Sequence, residues 1–144
     1  MFLDIKAPII PFKGMGGIKL YSTMTELSYL LLLGREMTKP SDGNWITYHL
    51  LNSVELLFHR KNSKLFLMRT LDGYEGKLFG KIGVGTKEEE FLKIEPSFIY
   101  DDFEEVWESS KGVYIETDPV THGARWISVF IPETTLPDFE DGNW

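Results

Sequence analysis

Apolar and β-branched residues fall into two sets of three short stretches, each bounded by turn residues. In the first set, residues 52–53 and residues 61–63 supply the turns and leave the stretches at hairpin distances. The pattern therefore predicts two groups of antiparallel strands. The predicted strands cover residues 45–50, 54–58 and 65–71, and then residues 103–109, 113–117 and 125–131.

A brief strand and a helix are predicted before each group of strands. Ahead of the first group, apolar residues recur at helical spacing after Ser22, which is a candidate N-cap, and Gly34 can end the helix. We predict this helix over residues 23–33. Ahead of the second group, Thr86 and Glu89 have the spacing of a capping box, in which each side chain accepts from the other residue's amide. This second helix is predicted to end near residue 94, because a proline follows.

The two halves of the chain resemble each other when the sequence is shifted by 64 positions. The shift places Ile18 on Ile82, Leu20 on Val84, Ser22 on Thr86, Glu26 on Glu90 and Leu27 on Phe91. One interpretation is a duplicated half-domain. The other is that short helices and strands have similar patterns in any case.

A single α+β domain over residues 1–144 is the predicted fold. It has a first strand-helix-three-strand unit at about 14–71, a second unit at about 80–131, and a loosely held acidic tail at 132–144. Neither unit alone buries enough apolar surface, so we expect the two tandem units to form one twisted antiparallel sheet with both helices on one face. The opposite face would stay open for binding a partner.

Charge is distributed unevenly along the chain. Residues 1–79 contain 10 Lys and Arg against 7 Asp and Glu, whereas residues 80–144 contain 5 against 15. An acidic half repels nucleic acid and anionic membranes, which excludes both as predicted ligands. It favours a basic protein partner, although acidic surfaces also serve solubility alone.

Compartment and chemistry are constrained by residues that the sequence lacks. It has no cysteine, which excludes disulfides and thiol catalysis, and its first residues lack the basic region of a signal peptide. The longest apolar run is too short to span a bilayer, so we expect a cytoplasmic protein. No phosphate-binding, calcium-binding or serine-hydrolase motif is present, and the three histidines have no metal-site spacing. We predict no enzyme activity, cofactor or metal; a small enzyme remains the least favoured alternative.

Acidic residues surround Phe103 and Trp107 in the second half. This composition is typical of an interface in which aromatic anchors supply affinity and charge steers a basic partner. The alternative is a strand with both aromatic side chains in the core and its acids in water. On the first interpretation, the predicted partner-binding residues are Asp101, Asp102, Glu104, Glu105, Trp107, Glu108, Tyr114 and Glu116.

Four segments resemble a known group of proteins. Residues 74–79, 82–86, 100–106 and 111–117 are similar to stretches of small immunity proteins encoded beside bacterial polymorphic or contact-dependent inhibition toxins. The predicted duplication also resembles the β-lactamase inhibitor protein architecture, in which a concave sheet binds an enzyme. The resemblance implies a cytoplasmic inhibitor of one cognate toxin domain, often a nuclease, whose basic cleft an acidic surface can occupy. A general protein-binding module of the same architecture, without a toxin partner, is the alternative.

Overall fold

The computed structural model describes residues 2–144, which form ten strands and two α-helices. Six strands and one α-helix lie in the first 70 residues. In chain order the elements are β1 (Gly14–Met15), β2 (Ile18–Lys19), α1 (Ser28–Leu32), β3 (Arg35–Glu36), β4 (Trp45–Leu50), β5 (Val54–His59), β6 (Leu65–Thr70), α2 (Glu88–Ile94), β7 (Ile99–Asp101), β8 (Val106–Ser109), β9 (Val113–Thr117) and β10 (Ala124–Phe130).

Eight of the strands form one antiparallel sheet in the order β3-β4-β5-β6-β10-β9-β8-β7. Strands β1 and β2 form a separate two-stranded sheet. The prediction of an α+β chain with one long antiparallel sheet is confirmed in this form, with fewer helical residues than expected. Among the described residues, no helix combines the length and the apolar character that crossing a membrane requires.

Each half of the sheet has an edge strand that the sequence analysis did not predict. Strand β3 pairs with β4, and β7 pairs with β8, over two and three residues respectively. The observed order in each half is therefore a helix followed by four strands. The predicted strand before the second helix is wrong, because residues 82–84 form only an isolated bridge through Ile82 to Leu78. In the first half the equivalent strand, β2, pairs with β1 outside the main sheet.

Helix α1 is shorter than predicted, and neither α1 nor α2 has the predicted N-cap. Helix α1 begins at Ser28, and the reciprocal capping contacts lie upstream of it, between Thr23 and Glu26 instead of at Ser22. The Thr86 hydroxyl accepts from the Gly83 amide and does not cap α2. The observed N-cap of α2 is Lys87, so Thr86 lies one residue before the cap and its hydroxyl closes the preceding turn instead.

One face of the sheet carries the hydrophobic core. Residues Leu56, Met68, Val129 and Val113 stand opposite one another across four neighbouring strands, and all four are fully buried. Leu30 of α1 and Phe91 of α2 belong to the same core cluster. Burial of apolar side chains on this face supplies the main driving force for the fold.

The opposite face presents one row of side chains across all eight strands. Strand register places the following residues in that row, in spatial order: Arg35, His49, Glu55, Arg69, Ser128, Tyr114, Glu108 and Ile99. The half of the row on β3 to β6 is rich in cations, whereas the half on β7 to β10 has Glu108 as its charged residue. The sheet therefore has a charge difference between its two halves on the face away from the core.

The C-terminal segment, residues 132–144, is packed against the domain, and the prediction of a loosely held tail is wrong. Phe139 is 9% exposed and stacks on Trp144 with a centroid distance of 5.3 Å. Both rings also lie edge-on to the buried His59 and to Phe66. The four acids and two prolines of this segment predicted a loose tail, because composition does not show that Phe139 and Trp144 pack against the domain. The segment covers part of the face that was expected to stay open.

Candidate functional site: the acidic hairpin

Strands β7 and β8 and the turn between them form a hairpin, residues 99–109, which we call the acidic hairpin. Its turn is closed by Asp101, whose carboxylate oxygen Oδ1 accepts the amides of Phe103 at 2.9 Å and Glu104 at 3.1 Å. The Asp101 carbonyl accepts the Glu105 amide at 2.8 Å, and Glu105 has a positive φ of 57°. This local bonding converts the start of the predicted strand at 103 into a turn, so that β8 begins only at Val106.

The eight predicted contact residues occupy two adjoining places. Asp101, Glu104, Glu108 and Tyr114 are mutual neighbours on the face away from the core. Asp102 and Glu105 lie around Tyr100 at the end of the hairpin, and Glu105 also faces Glu116. Trp107 is the exception. Its ring packs edge-on against Phe91 of α2 and against Tyr100, so most of it belongs to the core.

Negative charges crowd one another in the acidic hairpin. Burial, followed by the negative charge of Asp101, raises the pKa of the Glu108 carboxyl above its usual range. Burial and the charges of Glu108, Glu104 and Asp101 likewise raise the pKa of the Tyr114 phenol. In residues 2–144 the salt bridges involve the carboxylates of Glu55 and Glu95, and none involves the acidic hairpin.

Neutralising Glu108 is expected to stabilise the folded protein. Because the folded state raises the pKa of Glu108, the stability linked to its proton is present below the unfolded value of 4.5 and is lost as pH rises through the folded value. Glu108→Gln should therefore raise the free energy of unfolding at pH 7 by an amount on the order of 0.5 kcal/mol after solvent screening. The gain should vanish below the ordinary glutamate pKa. Urea unfolding across this pH range measures it.

Glu75→Gln is the matched control for this prediction. Glu75 is exposed in the loop after β6, so its substitution removes the same charge at a place outside the hairpin. Its effect on stability should be near zero at every pH. Equal gains from both substitutions would show that net charge, and not crowding of the hairpin carboxylates, sets the pH dependence.

Phe103 lies at the tip of the acidic hairpin and is 91% exposed. Neighbouring Ile99 and Tyr100 are 73% and 43% exposed, so the hairpin presents apolar surface together with its acids. The sequence offered two alternatives, with Phe103 and Trp107 both in the core or both at an interface. The structure separates them, because the turn at Asp101 directs Phe103 into solvent while Trp107 packs under α2.

Glu116 has a different environment from the hairpin acids. Burial raises the pKa of its carboxyl, while the positive charges of Arg69 and Arg125 oppose that rise. It stands opposite Trp126 in the register of β9 and β10. Glu116 therefore lies between the acids of the hairpin and two arginines, Arg69 on β6 and Arg125 on β10.

A pocket of about 740 Å³ lies between the acidic hairpin and the β9–β10 hairpin. We call it the hairpin cleft. No local motif in the sequence indicates this cleft, because its walls come from separate segments of the chain. The residues that line it include Glu88, Tyr100, Glu105, Glu116, Arg125 and Trp126.

The three histidines lie in different parts of the structure. His49 contacts Glu55 at 2.9 Å, and His59 is buried with its Nδ1 accepting the Lys61 amide. His122 lines the hairpin cleft. Over residues 2–144, no group of three or more His, Asp and Glu side chains is placed to hold a metal ion.

Comparison of the chain with protein-family models, with curated proteins and with solved structures gave no significant match.

Proposed function

We propose that this chain is an immunity protein that binds and neutralises a cognate toxin domain through the acidic hairpin. The observation that carries the proposal is the cluster of Asp101, Glu104 and Glu108, which forms no salt bridge within residues 2–144 and lies in the same hairpin as the exposed Phe103. The resemblance of the sequence to toxin-immunity proteins supplies the class of partner. The protein would act in the cytoplasm, as that resemblance implies.

Two glutamates in the row of side chains that runs from Arg35 to Ile99 have opposite surroundings, and the difference supports a binding role. On β5, Glu55 accepts from Arg69 at 2.6 Å and contacts His49 at 2.9 Å, so this acid is compensated within the fold. On β8, Glu108 in the same row has Asp101 and Glu104 as its charged neighbours. Acids that serve solubility alone gain nothing from being crowded together. A basic partner would replace this repulsion with attraction.

A basic active-site cleft is the kind of surface that this hairpin fits. Charges gathered at one end of the sheet attract such a cleft over a distance of about 10 Å at moderate salt. Phe103 can then enter an apolar pocket on the partner, as buried aromatic anchors do at the centre of many interfaces. Occupying the cleft would exclude the toxin's substrate and so block its activity.

The two halves of the fold would be products of a duplication under the same proposal. Each half has a helix followed by four antiparallel strands, and the strand order is mirrored about the β6–β10 pair. In this arrangement β6 and β10 join the halves through three residue pairs, from Arg69 with Ser128 to Leu67 with Phe130. Such a joint sheet agrees with the inhibitor architecture that the sequence resembles.

Co-expression with the product of the adjacent reading frame tests the proposed function. If that product kills cells when expressed alone, this chain should restore growth and should copurify with it as a complex. A lethal neighbour that this chain fails to rescue at equal expression would contradict the proposal. A harmless neighbour that nevertheless forms a stable complex would favour the general protein-binding module.

A further inference from the structure

The hairpin cleft exists because two hairpins separate at one end of the sheet. Strand β8 pairs with β9 only from Trp107 to Ser109, whereas β9 continues its pairing with β10 as far as Thr117 and Ala124. Before Trp107, Val106 pairs with Asp101 of β7, and residues 102–105 form the turn of the acidic hairpin. The space left between the two hairpins is the pocket of about 740 Å³, which is within the size range of small-ligand sites.

Aromatic rings and carboxylates form the walls of this cleft. Tyr100 and Trp107 lie on the side of the acidic hairpin, with their centroids 5.1 Å apart, and Trp126 lies on the side of β10. Glu88, Glu105 and Glu116 complete the lining. Aromatic faces combined with nearby carboxylates are the surroundings that organic cations prefer.

A guanidinium of the chain itself already lies against one of these walls. The Arg125 guanidinium carbon is 4.6 Å from the centroid of the Trp126 ring, in the geometry of a cation–π contact. Arg125 is exposed and has no salt bridge among the described residues, so a competing cation would break no ion pair by displacing it. The cleft thus has three glutamates against one arginine, and the face of Trp126 is one that a guanidinium can occupy.

We propose that the hairpin cleft is a binding site for the side chain of an arginine from the toxin partner. This inference rests on the proposed function and names the chemistry that the partner presents. Arginine fits better than lysine because its planar guanidinium can stack on Trp126 or Tyr100 while its N–H groups donate to Glu105 and Glu116. The incoming arginine would take the place of Arg125 over Trp126.

The capped amino acid N-acetyl-argininamide tests the cleft without any partner. Its neutral isostere, N-acetyl-citrullinamide, and the lysine equivalent serve as comparison probes. We expect a saturable shift of the Trp126 and Trp107 indole N–H signals in NMR titrations with the arginine probe. Binding of the citrulline probe should be weaker by at least about tenfold, because it lacks the charge.

Two substitutions should change binding of the arginine probe in opposite directions. Glu105→Gln removes one carboxylate from the cleft and should weaken binding about fivefold. Arg125→Gln removes the competing guanidinium and should strengthen it about threefold. Glu90→Gln, on the exposed surface of α2 outside the cleft, is the control for loss of charge and should leave binding unchanged.

Three outcomes would overturn the inference. They are equal binding of the arginine and citrulline probes, equal binding of the arginine and lysine probes, and equal effects of Glu105→Gln and Glu90→Gln. Because the probes are used without the toxin, each of these results leaves the growth-rescue experiment independent. If this chain rescues growth but the arginine probe does not bind, the cleft is not an arginine site, and the acidic hairpin stays as the proposed contact surface. If the probe binds but this chain does not rescue growth, the cleft binds arginine and the proposed immunity function is wrong.

Discussion

Replacing both Glu104 and Glu105 by lysine is expected to weaken binding of the toxin partner about 100-fold at low ionic strength. Both side chains are exposed on the acidic hairpin, and the double substitution reverses the charge at its tip. Most of the effect should appear as slower association, because these charges steer the encounter before contact. Stopped-flow association rates measured at low and at high salt would show the loss and its decrease with screening.

A double substitution in the C-terminal segment provides the control for net charge. Asp138 and Asp141 are exposed, and changing both to lysine alters the total charge by the same amount. This segment packs beside Phe66 at the start of β6, whereas the acidic hairpin points away from the other end of the sheet. The control should retain nearly all of its affinity. Unchanged affinity of the Glu104 and Glu105 double variant at low salt would rule out the hairpin as the contact surface.

The central strands were predictable because local chemistry and tertiary pairing agree there. Strands β4, β5 and β9 start and end within one residue of the predicted bounds, since turn residues at fixed spacing define both ends. The edge strands were missed for the opposite reason. Arg35 and Glu36 of β3 are both exposed and show no apolar alternation, so only the presence of a neighbouring strand makes them extended.

Side-chain competition explains why the helix starts were misassigned. The spacing of Thr86 and Glu89 fits a capping box, but Thr86 is also three residues from Gly83 and accepts its amide at 3.0 Å. The sequence shows which backbone amides a threonine hydroxyl can reach, but it does not show which of them the hydroxyl accepts in the fold. In the first half the capping contacts formed at Thr23, one residue after the predicted Ser22.

The candidate site was predictable in charge and unpredictable in orientation. The excess of acids in the second half is a property of composition, and it survives any arrangement of the chain. Phe103 and Trp107 are close in sequence, yet one is 91% exposed and the other packs on Phe91, because Phe103 lies in the turn that Asp101 closes and Trp107 lies in β8. Nothing local signals that turn within a run of acids.

Two phenylalanine substitutions are expected to separate stability from binding. Phe91 is fully buried and holds α2 against Phe98 and Trp107, with centroid distances of 5.5 and 6.2 Å. Phe91→Ala should lower the free energy of unfolding by about 4 kcal/mol, because it leaves a cavity beneath the helix. Phe103→Ala deletes a phenyl ring that is already exposed to solvent, so it should change the free energy of unfolding by less than about 0.5 kcal/mol. Urea unfolding of both variants provides the comparison.

Binding of the two variants should show the reverse order of effects. If Phe103 is the apolar anchor of the acidic hairpin, Phe103→Ala should weaken toxin binding by at least about tenfold in a protein that is as stable as the wild type. Phe91→Ala should bind nearly normally below its unfolding transition, since its ring lies beneath the surface. Full affinity of Phe103→Ala would mean that the hairpin contributes charge alone. A large loss of stability in that variant would show that the ring packs against the protein, in contradiction to its 91% exposure.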